Sequence, residues 1–139
     1  MIKIRKFKIK DKNSVIALWK DVFNPQNPHN DPELVINTKV SFNDGLFFVA
    51  CENKKIIGTI MAGYGGHRGW IYSLAVSQKY RRKGIGTKLV NKALNELINL
   101  GCIKVNLQIY GDNQFVVDFY KKVGFSIEDR VSMGKRLIE

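Results

Sequence analysis

The chain has little of what would hold or anchor a protein by unusual means. Two of its 139 residues are cysteine, three are proline and two are histidine. Cys51 and Cys102 lie far apart, with no Cys-x-x-Cys or Cys/His spacing, so a zinc module and a redox dithiol are excluded and both read as core packing. A cysteine-relay enzyme is the alternative they leave open. No run approaches the roughly 20 apolar residues of a membrane span. Residues 1–5 alternate like a strand instead of leading into an apolar signal core, so no secretory leader is expected and the cytoplasm is the expected setting.

Acidic residues are also scarce. Twelve Asp and Glu face 23 Lys and Arg, for a net charge of +11, and residues 77–88 hold no carboxylate. Such an excess first suggests nucleic acid. No recognition-helix module, zinc spacing or aromatic RNA-binding strand accompanies it, so no specific nucleic-acid partner is expected. The charge is spread, with five cations in the first ten residues and others around 79–88, 121–122 and 130–136. The carboxylate-free patch would steer a polyanion inward.

At this length the chain reads as a single domain, residues 1–139, able to bury one core unaided. Its most informative stretch is Tyr80-Arg81-Arg82-Lys83-Gly84-Ile85-Gly86-Thr87. It joins a strand-like run, residues 70–76, to residues 87–100, where Leu89, Val90, Ala93, Leu94, Leu97 and Ile98 form a helical stripe closed by Gly101. Two glycines without Cβ let backbone N–H groups approach an anion, and the helix dipole points at the same spot. A diphosphate is the natural guest. A P-loop is absent, and a third glycine and a following acid, which a dinucleotide fingerprint needs, are missing. The bland alternative is a strand-to-helix turn with a solvated cationic face.

Around this loop the pattern predicts a first strand ending or bulging near Lys6, where the alternation changes parity. Asp11 is expected to cap a helix bearing Val15, Leu18, Trp19 and Val22, and residues 24–30 to break it. A short helix from Pro32 to about Phe42, capped by Asp31, comes next. Residues 46–51 and 56–62 read as an antiparallel pair turning at Asn53 and Lys54, and 104–109 as a parallel strand reached by crossover. A last helix, capped by Asn113 with Phe115, Val116, Phe119, Tyr120 and Val123 on one face and Gly124 as its stop, precedes one or two strands ending near Arg136.

Strand, Arg81-x-x-Gly84-x-Gly86, helix, strand, then Asn113 through Phe119-Tyr120-x-x-x-Gly124-Phe125 resembles the GNAT superfamily of acetyl-CoA-dependent N-acetyltransferases. More narrowly, Asn30-Asp31-Pro32-Glu33, Gly66-His67-Arg68-Gly69 and the stretch 134–139 resemble a bacterial subgroup typified by YpeA. The resemblance implies an α/β fold, a mixed central sheet of six to seven strands with about four helices. It implies acetyl-CoA as co-substrate, no metal, and transfer of the acetyl group to a primary amine by direct attack in a ternary complex. Backbone groups of Leu74, Ala75 and Val76 would face the pantetheine arm and polarise the carbonyl. The N–H groups of Lys83, Gly84, Ile85, Gly86 and Thr87, with the Arg81 and Arg82 side chains, would hold the diphosphate. Asn113 would contact the arm, and Tyr120 would protonate the leaving thiolate.

One departure from the family concerns the base. Many members carry a glutamate on the strand before the phosphate loop, and residues 70–76 hold no acid. His67, with an ordinary pKa near 6.5, is the candidate base acting through water. Asp31, Glu33 and Tyr72 are weaker candidates, and an amine of low pKa needs none. The acceptor would be chosen by residues 23–42, with Asn30, Asp31 and Glu33 as candidate contacts, and a small amine or amino-acid-like molecule suits a basic surface better than a polycation. The resemblance leaves a homodimer open, since family members are often dimers, though no self-complementary surface is legible. The rival reading is a CoA-binding sensor or anionic-polymer module on the same fold.

Overall fold

The alternation of Ile2 and Ile4 with Lys3 and Arg5 produces β1 (Ile2–Lys6), which stops where the parity changes. The computed structural model describes residues 1–25 and 27–138. Gln26, within the expected helix break, and Glu139, the last residue of the 134–139 stretch, lie outside the described residues. The chain divides into two compact units, Met1–Leu107 and Gln108–Glu139.

In the first unit, Asn53 and Lys54 both take positive φ, 50° and 69°. Such a two-residue turn matches the twist of a hairpin, here β2 (Phe47–Glu52) and β3 (Lys55–Tyr64). β4 (Gly69–Val76) pairs antiparallel with β3, and β5 (Val105–Asn106) pairs parallel with β4. The sheet order is β1-β2-β3-β4-β5. α1 (Lys12–Phe23) and α2 (Pro32–Phe42) come between β1 and β2, and α3 (Ile85–Asn99) makes the crossover from β4 to β5.

Successive strand residues face opposite sides, so each face has its own layer. On one, Val15, Leu18 and Trp19 of α1 and Ile36 of α2 pack with Phe47, Val49, Met61 and Ala75. On the other lies α3, with Leu89, Val90, Ala93 and Leu97 fully buried. Gly58 lets α3 come this close: a Cβ there would sit 3.0 Å from Leu89 Cδ1 and 3.1 Å from the Ala75 carbonyl oxygen.

In the second unit, α4 (Gln114–Lys122) ends as its sequence demands. Gly124 takes φ 102°, its N–H bonds the Lys121 carbonyl at 3.1 Å, and the Phe125 N–H bonds the Tyr120 carbonyl at 2.9 Å. These two bonds form the paired Schellman closure. The Tyr120 and Phe125 rings meet edge-on at 5.4 Å and supply its apolar contact.

Among the described residues the α/β class and four α-helices match expectation, and two details differ. Among the described residues the sheet has five strands, not six or seven: the strand expected over 104–109 shortens to Val105–Asn106, because β5 finds partners only in Gly69 and Trp70. No described residue after Lys122 is in a strand; Glu128, Asp129 and Arg130 interrupt the apolar alternation, and the Arg130 N–H turns locally to the Glu128 carbonyl. Asp11 does not cap α1 through its side chain. Its carboxylate accepts the Lys8 N–H at 2.8 Å and two bonds from the Arg5 guanidinium at 2.8 and 2.9 Å. Among the described residues no helix is long and apolar enough to cross a membrane.

Candidate functional site

β4 carries two features along one strand. Its register on β3 runs Thr59↔Ala75 and then Met61↔Tyr72, so Ser73 and Leu74 together oppose Ile60. This is a bulge, and Ser73 takes φ 54° within it. Pairing with β5 ends at Trp70, whereas pairing with β3 continues to Val76. Residues 71–76, including Leu74, Ala75 and Val76, therefore present an outer edge that β5 does not use. An extended arm can add to such an edge as another strand would.

A short 3-10 turn (Gln78–Tyr80) leads from β4 into the glycine loop. Arg82 and Gly84 both take positive φ, 64° and 78°. Gly84 occupies the N-cap position of α3 in the left-handed region, offers no side-chain cap, and no acid stands in the first helical turn. The leading N–H groups of Ile85, Gly86 and Thr87 thus meet neither a capping side chain nor a carboxylate of their own turn, and the positive end of the helix dipole adds to them. Two cations are partly engaged. Arg81 Nε donates to the Val76 carbonyl at 3.2 Å, tying the loop to the end of β4, and Lys83 Nζ sits 5.3 Å from the Tyr80 ring centroid. Tyr80 in turn donates to Glu52 at 3.2 Å. The structure brings the candidate diphosphate residues from Arg81 to Thr87 together with the open edge of β4.

It does not bring His67 there. His67 lies in the loop beyond the last β3–β4 rung, Tyr64↔Gly69, exposed and beside Arg68. Five strand residues, about 16 Å at 3.3 Å each, separate Gly69 from Leu74. Tyr72, nearer the bulge, is half-exposed, and burial pushes its phenol up, away from what a base needs near neutrality. Asp31 caps α2 by accepting the Leu34 N–H at 3.1 Å, Glu33 pairs with Lys12 at 3.7 Å, and Asn30 is exposed at the end of a 3-10 turn. Asp31 also lines an open cleft of about 380 Å³ with Lys20, Asn24 and Asn27.

In the second unit, Asn113 caps α4, its Oδ1 accepting the Val116 N–H at 3.2 Å. Tyr120 is buried, with Phe119 and Phe125 edge-on to its ring at 5.1 and 5.4 Å. Burial pushes its phenol well above the ordinary tyrosine value, so it keeps its proton at neutral pH. Among the described residues no three His, Cys, Asp or Glu gather as a metal would require. Sequence reasoning missed the bulge and the Thr59 hydroxyl that donates to the Ser73 carbonyl at 3.0 Å. The one available signal was Thr59, a lone hydroxyl in the apolar run 56–62.

The model of the Acetyltransferase (GNAT) family matches residues 13–125. Among solved structures, the chain is similar to Ard1 from Thermoplasma volcanium: 26% identity, TM-score 0.81, covering 91% of this chain and 84% of that one. It is similar to the PaiA N-acetyltransferase from Thermoplasma acidophilum in complex with coenzyme A, at 24% identity and TM-score 0.80 over 94% of this chain and 93% of that one. The glucosamine-6-phosphate N-acetyltransferase from Arabidopsis thaliana matches at 25% identity and TM-score 0.73, covering 99% of each.

Proposed function

The chain belongs to the Acetyltransferase (GNAT) family and is an acyltransferase; from that premise we propose that its 139 residues act as one N-acetyltransferase domain that moves an acetyl group from acetyl-CoA to the primary amine of a small or amino-acid-like acceptor. The observation that carries the reading is the start of α3, a left-handed Gly84 with no side-chain cap and no acid in the turn that follows. The N–H groups from Lys83 to Thr87, with Arg81 and Arg82, hold the diphosphate there. The unused edge of β4 takes the pantetheine arm in the manner of an added strand.

Direct attack forms the C–N bond and breaks the C–S bond. The amine must arrive neutral, the carbonyl oxygen must be stabilised as it becomes negative, and the departing sulfur must gain a proton. Leu74, on the bulge, supplies the backbone donor to the carbonyl oxygen. Tyr120 supplies the proton to sulfur, and its raised pKa keeps that proton available across the neutral range. An ordinary thiol near 8.5 against a phenol above 10 makes full transfer uphill by about 2 kcal/mol or more, so proton motion must accompany C–S cleavage. The acceptor amine arrives neutral by losing its ammonium proton to water; after attack its nitrogen releases a second proton to solvent, and the Tyr120 phenolate regains one from solvent. Asn30, Asp31 and Glu33 border the acceptor's approach, and the carboxylate beside the cleft suits a cationic amine.

Calorimetric titration with acetyl-CoA tests the reading. Micromolar binding to the wild type, lost in Gly84→Glu, supports it and justifies a panel of small amines followed by thiol release. A wild type without measurable binding overturns it, and leaves an anionic polymer as the partner of the basic surface, to be sought by salt-dependent titration with DNA.

A further inference from the structure

Two side chains distant in sequence are linked by hydrogen bonds to the Ser73 carbonyl. Trp19, on α1, donates its indole N–H to Thr59 Oγ1 at 2.8 Å, and Thr59 Oγ1 lies 3.0 Å from the Ser73 carbonyl oxygen. Trp19 is 3% exposed and Thr59 0%, so the bond between them is shielded from water, and the bond to Ser73 is partly so. Indole nitrogen is a donor only, and a threonine hydroxyl has one proton. The order is therefore fixed: tryptophan gives to the hydroxyl, and the hydroxyl gives to the carbonyl.

That carbonyl belongs to a residue whose φ of 54° a non-glycine residue seldom adopts, and such a conformation persists only where its surroundings impose it. A trans peptide is planar, with its C=O and N–H antiparallel. Drawing the Ser73 oxygen toward Thr59 on β3 therefore turns the Leu74 N–H away from β3, toward the edge that β5 leaves unused. We propose that Trp19 and Thr59 are positioning residues for acyl transfer, a buried relay that aims the Leu74 N–H at the acetyl carbonyl oxygen. This rests on the acetyltransferase function proposed above.

The test compares wild type, Thr59→Val, Thr59→Ser and Trp19→Phe, each checked for thermal unfolding. Carbonyl-13C-labelled acetyl-CoA is the probe. Its bound C=O stretch reads the hydrogen bond directly and needs no acceptor. Wild type should lower the stretch relative to free acetyl-CoA; Thr59→Val should abolish most of that shift while the acetyl-CoA Kd stays within about twofold, because the diphosphate loop is untouched. With an amine from the panel, kcat should fall roughly ten- to a hundredfold in Thr59→Val, as for a misplaced donor, with KM little changed. Thr59→Ser, which keeps the hydroxyl, should restore most of both readouts.

Trp19→Phe leaves the hydroxyl but frees its proton to turn, so it should lose only a few-fold in kcat while losing more thermal stability than Thr59→Val. A merely structural role would make kcat follow stability. A Thr59→Val protein with wild-type stretch and kcat overturns the relay alone. If Thr59→Val does not fold, Trp19→Phe with an unaltered stretch does the same. A wild type that binds no acetyl-CoA overturns the proposed function, and the relay's role with it.

Discussion

α2 and α3 begin in opposite ways. α2 carries its own anion: Asp31 accepts the Leu34 N–H, Pro32 fills the position that needs no donor, and Glu33 adds a second carboxylate within the first turn. α3 carries none, having Gly84 in the left-handed region, then Ile85, Gly86 and Thr87, with Arg81, Arg82 and Lys83 just before. Every helix start exposes N–H groups and a partial positive charge. α2 neutralises them within the chain, whereas α3 has neither a capping side chain nor a carboxylate in its first turn to do so. Three residues at each start make that difference, and it marks out the start of α3, proposed above as the diphosphate site, more sharply than net charge does.

The largest change should come from giving α3 what α2 already has. Gly84→Asp would place a carboxylate at the cap, and aspartate tolerates the left-handed conformation better than most residues. Acetyl-CoA affinity should drop about a hundredfold or more, roughly 3 kcal/mol, by calorimetry, with a smaller loss of thermal stability from the left-handed backbone. A retained affinity would mean that the start of α3 is not the diphosphate site.

Asp11, at the start of α1, is a third arrangement. It spends its carboxylate on the Arg5 guanidinium and the Lys8 N–H, and these bonds, chiefly the one from Arg5, hold its pKa below the ordinary 3.8 despite burial. Asp11→Asn should cost about 2 kcal/mol at pH 7 by chemical denaturation. A depressed folded-state pKa stabilises above the unfolded value, and that stability is lost as pH falls through the folded one. The gap between the two proteins should therefore be constant above pH 5 and close as the pH drops below about 4. A gap independent of pH would show that shape, not charge, is what Asp11 supplies. Thr87→Glu, which imitates Glu33 without disturbing Gly84, should weaken acetyl-CoA binding about tenfold and leave α3 as stable or slightly more so.

Most of the scaffold was legible because local chemistry decided it. The turn at Asn53 and Lys54, the Asp31 and Asn113 caps, the Gly124 stop and the stripes of α1 and α3 all follow from residues within a few positions of one another. Contacts between distant residues were not legible. Residues 70–76 read as an uninterrupted strand, and nothing in Ser73 marks a positive φ. Its carbonyl accepts from Thr59, fourteen residues back, which in turn accepts from Trp19, forty residues earlier still. Asp11 fitted the pattern of a cap, and only the nearness of Arg5 on β1 shows its other use. The missing strands have a similar origin: alternation over 104–109 is real, but a strand needs a partner, and β4 supplies one only at Gly69 and Trp70.

The smallest expected effect tests the other half of the comparison. Asp31→Ala removes the α2 cap and should cost about 1 kcal/mol, seen as a fall of a few degrees in Tm. Asp31→Asn, which still offers an acceptor oxygen to the Leu34 N–H, should recover most of it. Neither change should alter acetyl-CoA affinity, because the anion at this helix belongs to the chain itself. If Asp31 also receives the acceptor amine beside its cleft, both variants should raise KM for a cationic acceptor, and the asparagine should fail to restore it. A recovered Tm with an unrecovered KM would assign Asp31 to both tasks, whereas recovery of both would confine it to the cap.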